Sequence, residues 1–314
     1  MWAIVSFCEK LLSLRYITRE IMEDLFGNAV VEPKSSNLEK KVAFAVKLIQ
    51  SAYKKAREND SDLEIAYSGG KDSDVILELA RMSGVPFRAI YKNTTIDPAG
   101  TPAHARAQGC EVIMPKWRFE DIIAHYGFPN RFRRHCCKVL KEYKVLDYAV
   151  LGIRQAESTK RAKRYKEPEQ CRVFSKKSKV RQYFPILYWS DADVAEFIAE
   201  RGIKCHNKYY DEIGRFHVER RLGCVGCPLQ NFDLRIKEFK SHPQMVNLYL
   251  RGGARYMKAH PEMQYADVYE WFVREIFCET QGDYERIFKD RLFADSVDCK
   301  EFLAKYFNIK IYAE

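Results

Sequence analysis

Residues 64–75 read Glu-Ile-Ala-Tyr-Ser-Gly-Gly-Lys-Asp-Ser-Asp-Val, an apolar run that breaks at Ser68-Gly69-Gly70-Lys71-Asp72-Ser73 and resumes as an amphipathic helix. A strand that ends in a double-glycine turn and opens a helix offers backbone N–H groups and a positive helix end to an anion. Glycine lets the chain approach a phosphate with no Cβ in the way. Ser68 and Ser73 add hydroxyl donors, Lys71 adds a cation, and Asp72 adds a carboxylate able to hold a metal ion such as Mg²⁺ bridging the phosphates. The run is not G-x-x-x-x-G-K-[ST], which needs four residues between its glycines and Gly-Lys. A serine-capped Gly-Gly turn is the plainer alternative; six informative positions at one strand-to-helix junction weigh against it.

Cysteine supplies the second chemistry. Cys136 and Cys137 are adjacent, and Cys224-Val225-Gly226-Cys227 follows after a long gap. A C-x-x-C pair suggests a metal ligand pair or a redox dithiol. Zinc is the default for two well-spaced pairs. Neighbouring side chains strain to chelate one small tetrahedral ion, whereas an iron–sulfur cube gives each thiolate its own iron. Four thiolates on a [4Fe–4S]²⁺ core carry a net charge of about −2, which gives Arg134, Lys138, Lys141, Arg220 and Arg221 an electrostatic reason to be nearby. Four buried free cysteines are the bland alternative. Cys8, Cys110, Cys171, Cys205, Cys278 and Cys299 have no ligand-like spacing and read as packing residues.

The elements that position these residues follow from hydrophobic periodicity. Ser36 and Glu39 have capping-box spacing ahead of a helix carrying Val42, Phe44, Val46, Leu48 and Ile49. Strands are expected at Leu63–Tyr67, Phe87–Tyr91, Glu111–Met114 and Tyr148–Ile153, with helices at Asp74–Met82, Pro102–Gln108, Phe119–His125 and Val139–Asp147. This alternation argues an α/β fold with a doubly wound, mostly parallel sheet and ligands at the carboxyl ends of its strands. Ser68-Gly69-Gly70 and the turn Asn93-Thr94-Thr95-Ile96-Asp97 both sit at such ends. A strand-poor basic stretch is expected up to about Val180, then Tyr183–Leu187 and a helix Asp191–Glu200 capped by Ser190 and Asp193. Beyond Asn231 the pattern is helical, with aromatics at core spacing. The expected organisation is an N-terminal extension (1–38), a nucleotide domain holding the cysteine pairs (39–230) and a helical C-terminal region (231–314).

The chain has 314 residues, ten cysteines and a net charge of +10. Its length can bury a substantial core. No stretch approaches the roughly 18 uninterrupted apolar residues of a membrane span. The first twenty residues lack a basic n-region and soon carry charge, so a signal peptide is not expected, and a cytoplasmic chain with metal or thiol chemistry is. The positive balance favours anionic partners. From Arg154 to Arg181 there are eleven lysines or arginines against Glu157, Glu167 and Glu169, a segment suited to nucleic acid.

Ser68–Ser73 resembles the S-G-G-x-D-S signature of the PP-loop ATP pyrophosphatase superfamily, whose fold is Rossmann-like. Several features together look like the phosphoadenylyl-sulfate (PAPS)/adenylyl-sulfate reductase family within it, over about residues 60–230. They are this signature, the Cys-Cys pair followed by Lys141, the run Gly152-Ile153-Arg154-Gln155-Ala156-Glu157-Ser158, Pro185-Ile186 before a capped helix, and the late C-x-x-C. The resemblance implies that Cys136, Cys137, Cys224 and Cys227 ligate a [4Fe–4S] cluster with Lys141 beside it. It also implies that the Asn93–Asp97 turn and Gly152 help bind the nucleotide, ATP or a sulfonucleotide, and that Arg154 approaches its phosphates or sulfate. The activity implied is an oxidoreductase of sulfur metabolism that reduces PAPS or adenylyl sulfate with a thiol or sulfur donor protein. Two departures point elsewhere. The C-terminal E-C-G-x-x-H segment with the nucleophilic cysteine is absent, and Lys71, Asp72 and Ser73 are intact, as in enzymes that split ATP. An ATP-cleaving sulfur transferase or activating enzyme for tRNA, DNA or a small molecule is the alternative. A non-catalytic nucleotide or redox sensor is a third reading, and a homo-oligomer is compatible with all three.

Overall fold

Alternating buried strands and amphipathic helices close into one six-stranded sheet of order β3-β2-β1-β4-β6-β5. The computed structural model describes residues 38–175, 178–278, 280–288 and 298–312. The amino-terminal extension with Cys8 and Ser36, and Lys176 and Lys177 of the basic segment, lie outside these. Helix α1 (Leu38–Arg57) precedes β1 (Leu63–Tyr67), α2 (Lys71–Ser83), β2 (Arg88–Lys92), α3 (Thr101–Ala107) and β3 (Glu111–Ile113). Next come α4 (Phe119–Tyr126), α5 (His135–Leu140), β4 (Tyr148–Leu151), α6 (Thr159–Arg164), β5 (Glu169–Ser175), β6 (Ser178–Tyr183) and α7 (Asp191–Arg201). The carboxyl-terminal helices are α8 (Phe232–Ser241), α9 (Gln244–Ala259), α10 (Val268–Phe272), α11 (Gln281–Phe288) and α12 (Cys299–Phe307).

Strand β1 pairs in parallel with β2 and β4, and β4 with β6, so that Ile65 stands opposite Ala89 and Val150, and Val150 opposite Tyr183. Strands buried on both faces read as continuous apolar runs, which is why β1 and β4 were visible in the sequence. The chain divides into two compact units that interleave. Among the described residues, the first comprises those up to Tyr91, Gly100–Ile113 and those within Lys144–Leu222, and the second Lys92–Ala99, Met114–Tyr143 and those from Gly223 on. Periodicity leads to contiguous boundaries at 38 and 230, because it does not reveal a chain that leaves a unit after a strand and returns later.

Three expectations are corrected. The basic stretch before Val180 is not strand-poor: β5 and β6 form an antiparallel hairpin at the sheet edge. In sequence, Glu169, Arg172, Lys179 and Arg181 break up its apolar alternation, and charge is a common protection of edge strands. The helix expected at Val139–Asp147 lies earlier, at His135–Leu140; the backbone N–H groups of Lys141 and Glu142 both turn back to Cys137 O, at 2.9 and 2.8 Å, and close it. Cys171 is exposed on β5 and is no packing residue. The cap of α7 is as expected, with Ser190 and Asp193 exchanging hydrogen bonds.

In the second unit α9 buries Val246, Tyr249 and Leu250, and α4 buries Phe119, Ile122 and Ile123. Gly252 lets the two helices meet closely: a Cβ there would stand 2.8 Å from Glu120 O and from Ile123 Cβ. Gly252→Ala is therefore expected to destabilise by about 1 kcal/mol. The overpacking cost of about 1–3 kcal/mol outweighs the roughly 1 kcal/mol gain in helix propensity. Urea unfolding measures the difference.

Candidate functional site

Strand order reverses at β1, whose neighbours β2 and β4 are reached in opposite directions, and open α/β sheets place ligands at such a point. The Ser68–Ser73 loop leaves the carboxyl end of β1, and Gly152–Arg154 leaves that of β4. Gly69 has φ +79°, a conformation that glycine adopts without strain, and a Cβ on it would meet Thr101 Cγ2 at 2.6 Å. Helix α2 opens at Lys71 with no side-chain cap, its cap residue being Gly70. Ser73 Oγ donates to Gly70 O at 2.6 Å and Ser68 Oγ to Ser73 Oγ at 3.2 Å, so the hydroxyls brace the turn. The Lys71 backbone N–H donates to Tyr209 Oη at 3.1 Å, and its ammonium lies 3.4 Å from Asp72 Oδ2.

Arg154 is 1 % exposed. Its Nε donates to Asp72 Oδ1 and its Nη2 to Asp191 Oδ1, each at 2.7 Å, and Nη1 donates to Trp189 O at 3.2 Å. The arginine expected to approach phosphate is thus a clamp that ties the loop to the N-terminus of α7. The two carboxylates hold its guanidinium above its ordinary range against the opposing effect of burial. Gly152 serves the same junction: a Cβ there would lie 2.8 Å from Asp72 O. Behind the loop, Asp74 accepts hydrogen bonds from Tyr67 Oη and, at 3.1 Å, pairs with His104 Nε2. Burial raises the Asp74 carboxyl, and the contacts with His104 and Tyr67 offset part of that rise.

In the second unit Cys136, Cys137, Cys224 and Cys227 line one cavity of about 20 Å³ together with Thr94, Lys141 and Tyr249. Among the described residues no group of three or more His, Cys, Asp or Glu side chains is arranged to hold a metal ion. The Cys224 thiol donates to Asp97 Oδ1 at 3.3 Å and lies 3.7 Å from Thr94 Oγ1. Burial pushes it up to about 12. The hydrogen bond from Cys136 draws Cys137 below the usual thiol range against burial, with Arg134 and Lys141 helping, and the same bond raises Cys136. Burial pulls Lys141 down, but the Cys224 and Asp97 charges outweigh it and keep the ammonium above its usual range; Nζ is 3.7 Å from Asp97 Oδ1.

Thr94 and Asp97, singled out as nucleotide contacts, are thus brought to the cysteines. Asn93 Oδ1 accepts from Thr95 N–H at 2.8 Å and shapes that turn. Tyr209, Asp191 and Trp189 were missed at the loop, and Tyr249 at the cysteines. The only available signal was the Ser190 cap, which places Asp191 in the first turn of α7.

The family model for the phosphoadenosine phosphosulfate reductase domain matches residues 62–230. An uncharacterized protein of Methanocaldococcus jannaschii is 27 % identical over 229 residues, 68 % of this chain, which spans 52 % of that relative's length. Among solved structures, Candida glabrata FMN adenylyltransferase is 14 % identical with a TM-score of 0.40, covering 68 % of this chain and 70 % of its own. Candida auris PAPS reductase is 17 % identical with a TM-score of 0.36, covering 56 % and 91 %. No helix among the described residues is long and apolar enough to cross a membrane.

Proposed function

We infer that this chain, which belongs to the phosphoadenosine phosphosulfate reductase domain family, is a cytoplasmic enzyme that binds an adenine nucleotide at the Ser68–Ser73 loop and splits it. One observation carries the nucleotide half: a helix N-terminus whose cap residue, Gly70, offers no side chain, opening on Lys71 at the point where the strand order reverses.

The state of the two carboxyl-terminal thiols, Cys278 and Cys299, favours ATP splitting over sulfonucleotide reduction. Reduction needs a thiolate to attack sulfur. Cys278 and Cys299 are buried, and burial pushes both up to about 11, so each remains a thiol at neutral pH. In ATP splitting, a nucleophile of the acceptor attacks the α-phosphorus, the bond to the β-phosphate oxygen breaks and pyrophosphate leaves. Lys71 and the α2 N-terminus stabilise the charge that builds on the phosphate oxygens. Any Mg²⁺ would travel with the nucleotide, because one Asp72 oxygen faces Arg154 and the other Lys71. Exposed Lys160, Lys163 and Arg164 of the 154–181 segment suit a nucleic-acid acceptor.

Cys136, Cys137, Cys224 and Cys227 fit a [4Fe–4S] ligand set in chemistry: four thiols around one cavity, with Lys141 to balance charge. The adjacent pair Cys136-Cys137 suits a cube, which engages each thiolate at its own iron, better than one tetrahedral ion. Such a cluster, when bound, supplies electron or sulfur transfer; the thiols would part from their present contacts to admit it. Reduction of PAPS or adenylyl sulfate with a thiol donor protein is the second reading, favoured by the family match.

The test uses anaerobically purified protein and phosphorus NMR. ATP with bulk tRNA or small-molecule acceptors is expected to give pyrophosphate and an adenylylated acceptor, from which a sulfur nucleophile or water then displaces AMP, and neither sulfonucleotide is expected to give sulfite with a dithiol present. Sulfite formed over many turnovers would overturn the ATP reading. Nucleotide binding without turnover under all these conditions would leave a sensor in its place.

A further inference from the structure

Residues 116–138 of the second unit gather exposed rings and cations. Phe132 is 97 % exposed, the most exposed large apolar side chain among the described residues. One bare ring is unremarkable on a protein surface, but others accompany it in this segment. Tyr126 stacks on His135 with centroids 4.4 Å apart and 11° between the planes, and Trp117 lies 6.5 Å from Tyr126 at 28°. His125 meets both Tyr126 and Trp117 edge-on, at 4.4 and 5.4 Å. Trp117 and Tyr126 are themselves more than a third exposed.

The loop that carries Phe132 is built to hold it outward. The backbone N–H groups of Phe132 and Arg133 both donate to Asn130 Oδ1, at 3.0 and 2.8 Å, an Asx turn. Arg131 Nε anchors the loop to Pro228 O at 3.3 Å. The segment carries six lysines or arginines against only Glu120 and Asp121. Those two carboxylates are bridged by Arg251 and Arg255, at 3.0 and 2.9 Å, so they offset little of its positive charge.

Cations alone would suit any polyanion; rings left in water beside them ask for a partner with exposed flat faces. A duplex hides its bases; the single-stranded loop of RNA is the usual form in which unstacked bases are offered to aromatic and guanidinium planes, and a single DNA strand, which presents similar faces, is the comparison. We propose that this surface binds single-stranded RNA, with bases on Phe132 and Trp117 and phosphates on Arg133, Arg134 and Lys138. The proposal concerns the acceptor class of the ATP-splitting reading, but it rests on this surface alone.

The experiment measures fluorescence anisotropy of a labelled oligouridylate with the full chain, with oligothymidylate of equal length and an RNA duplex as comparisons. Oligouridylate is expected to bind most tightly. Phe132→Ala is expected to weaken it roughly tenfold, the loss of one stacked base, with an unchanged melting temperature because the ring packs against nothing. Arg133→Glu with Arg134→Glu is expected to weaken it further and to flatten the salt dependence by about two units of slope. Equal or tighter binding of the duplex or of DNA overturns the assignment. So does wild-type affinity in Phe132→Ala and Trp117→Ala, or loss confined to Lys163→Glu with Arg164→Glu. Titration of the same samples with ATP separates the two proposals: RNA binding without nucleotide binding would sink the proposed function and leave this surface standing.

Discussion

Arg154→Ala is expected to cost about 3 kcal/mol of stability and at least tenfold in adenine-nucleotide affinity. The stability term comes from removing one partner of a buried charge cluster, which leaves the other without compensation and costs about 3–5 kcal/mol when both are enclosed. Asp191 is 56 % exposed and is rehydrated once released, so Asp72, at 14 %, carries most of the penalty and the lower end applies. The affinity term follows from geometry. Freed of Arg154, Asp72 can turn both oxygens to Lys71, already 3.4 Å away, and occupy the cation that phosphate would use. Arg154→Lys keeps the charge but loses the fork that spans two carboxylates, and should fall between. Asp191→Asn should cost less than about 1 kcal/mol, as exposed pairs do. Urea unfolding and calorimetric titration with ATP read the two quantities. A wild-type midpoint in Arg154→Ala would remove the clamp from the account, and unchanged ATP affinity would remove its link to Lys71.

That clamp also shows where sequence reasoning stops. β1, the Gly-Gly turn and the start of α2 are encoded within a dozen neighbouring residues, so apolar run, turn chemistry and helix period all speak to the same local structure. Arg154 was legible as a residue of interest through its motif. Its partners were not, since Asp72 and Asp191 lie 82 and 37 residues away and only the closed sheet brings them to one guanidinium. The same holds in the second unit, where Thr94 and Asp97 looked like part of a strand-end nucleotide turn yet meet Cys224 from more than a hundred residues away. The β5–β6 hairpin escaped for another reason: one edge strand faces solvent, and its charges mask the period of two by which a half-buried strand is recognised. The two cysteine pairs were legible because each is a local feature of the sequence, and the structure places all four around one cavity.

Cys224→Ser tests that set, and the expected effect is near-total loss of bound iron. Wild-type protein reconstituted without oxygen should hold about four iron and four sulfide per chain, and the serine variant almost none. Serine is chosen because it keeps the packing: its hydroxyl can still donate to Asp97 as the thiol does. It does not keep the ligand, since an alcohol is neither soft nor ionised at neutral pH. The environment explains why the position is sensitive. Enclosure pushes the Cys224 thiol up to about 12, so it must give up a proton to bind metal, next to the carboxylate that now accepts that proton's hydrogen bond. Lys141, held cationic beside both, is the group that can offset the second negative charge. Lys141→Met should therefore slow reconstitution and make it more dependent on raised pH, because metal binding releases protons. The competing readings give different results. Four structural thiols would leave both proteins free of metal and equally stable, and a zinc site would show one zinc and no sulfide in the wild type. An iron content shared by wild type and Cys224→Ser would exclude Cys224 as a ligand whatever the cluster's type.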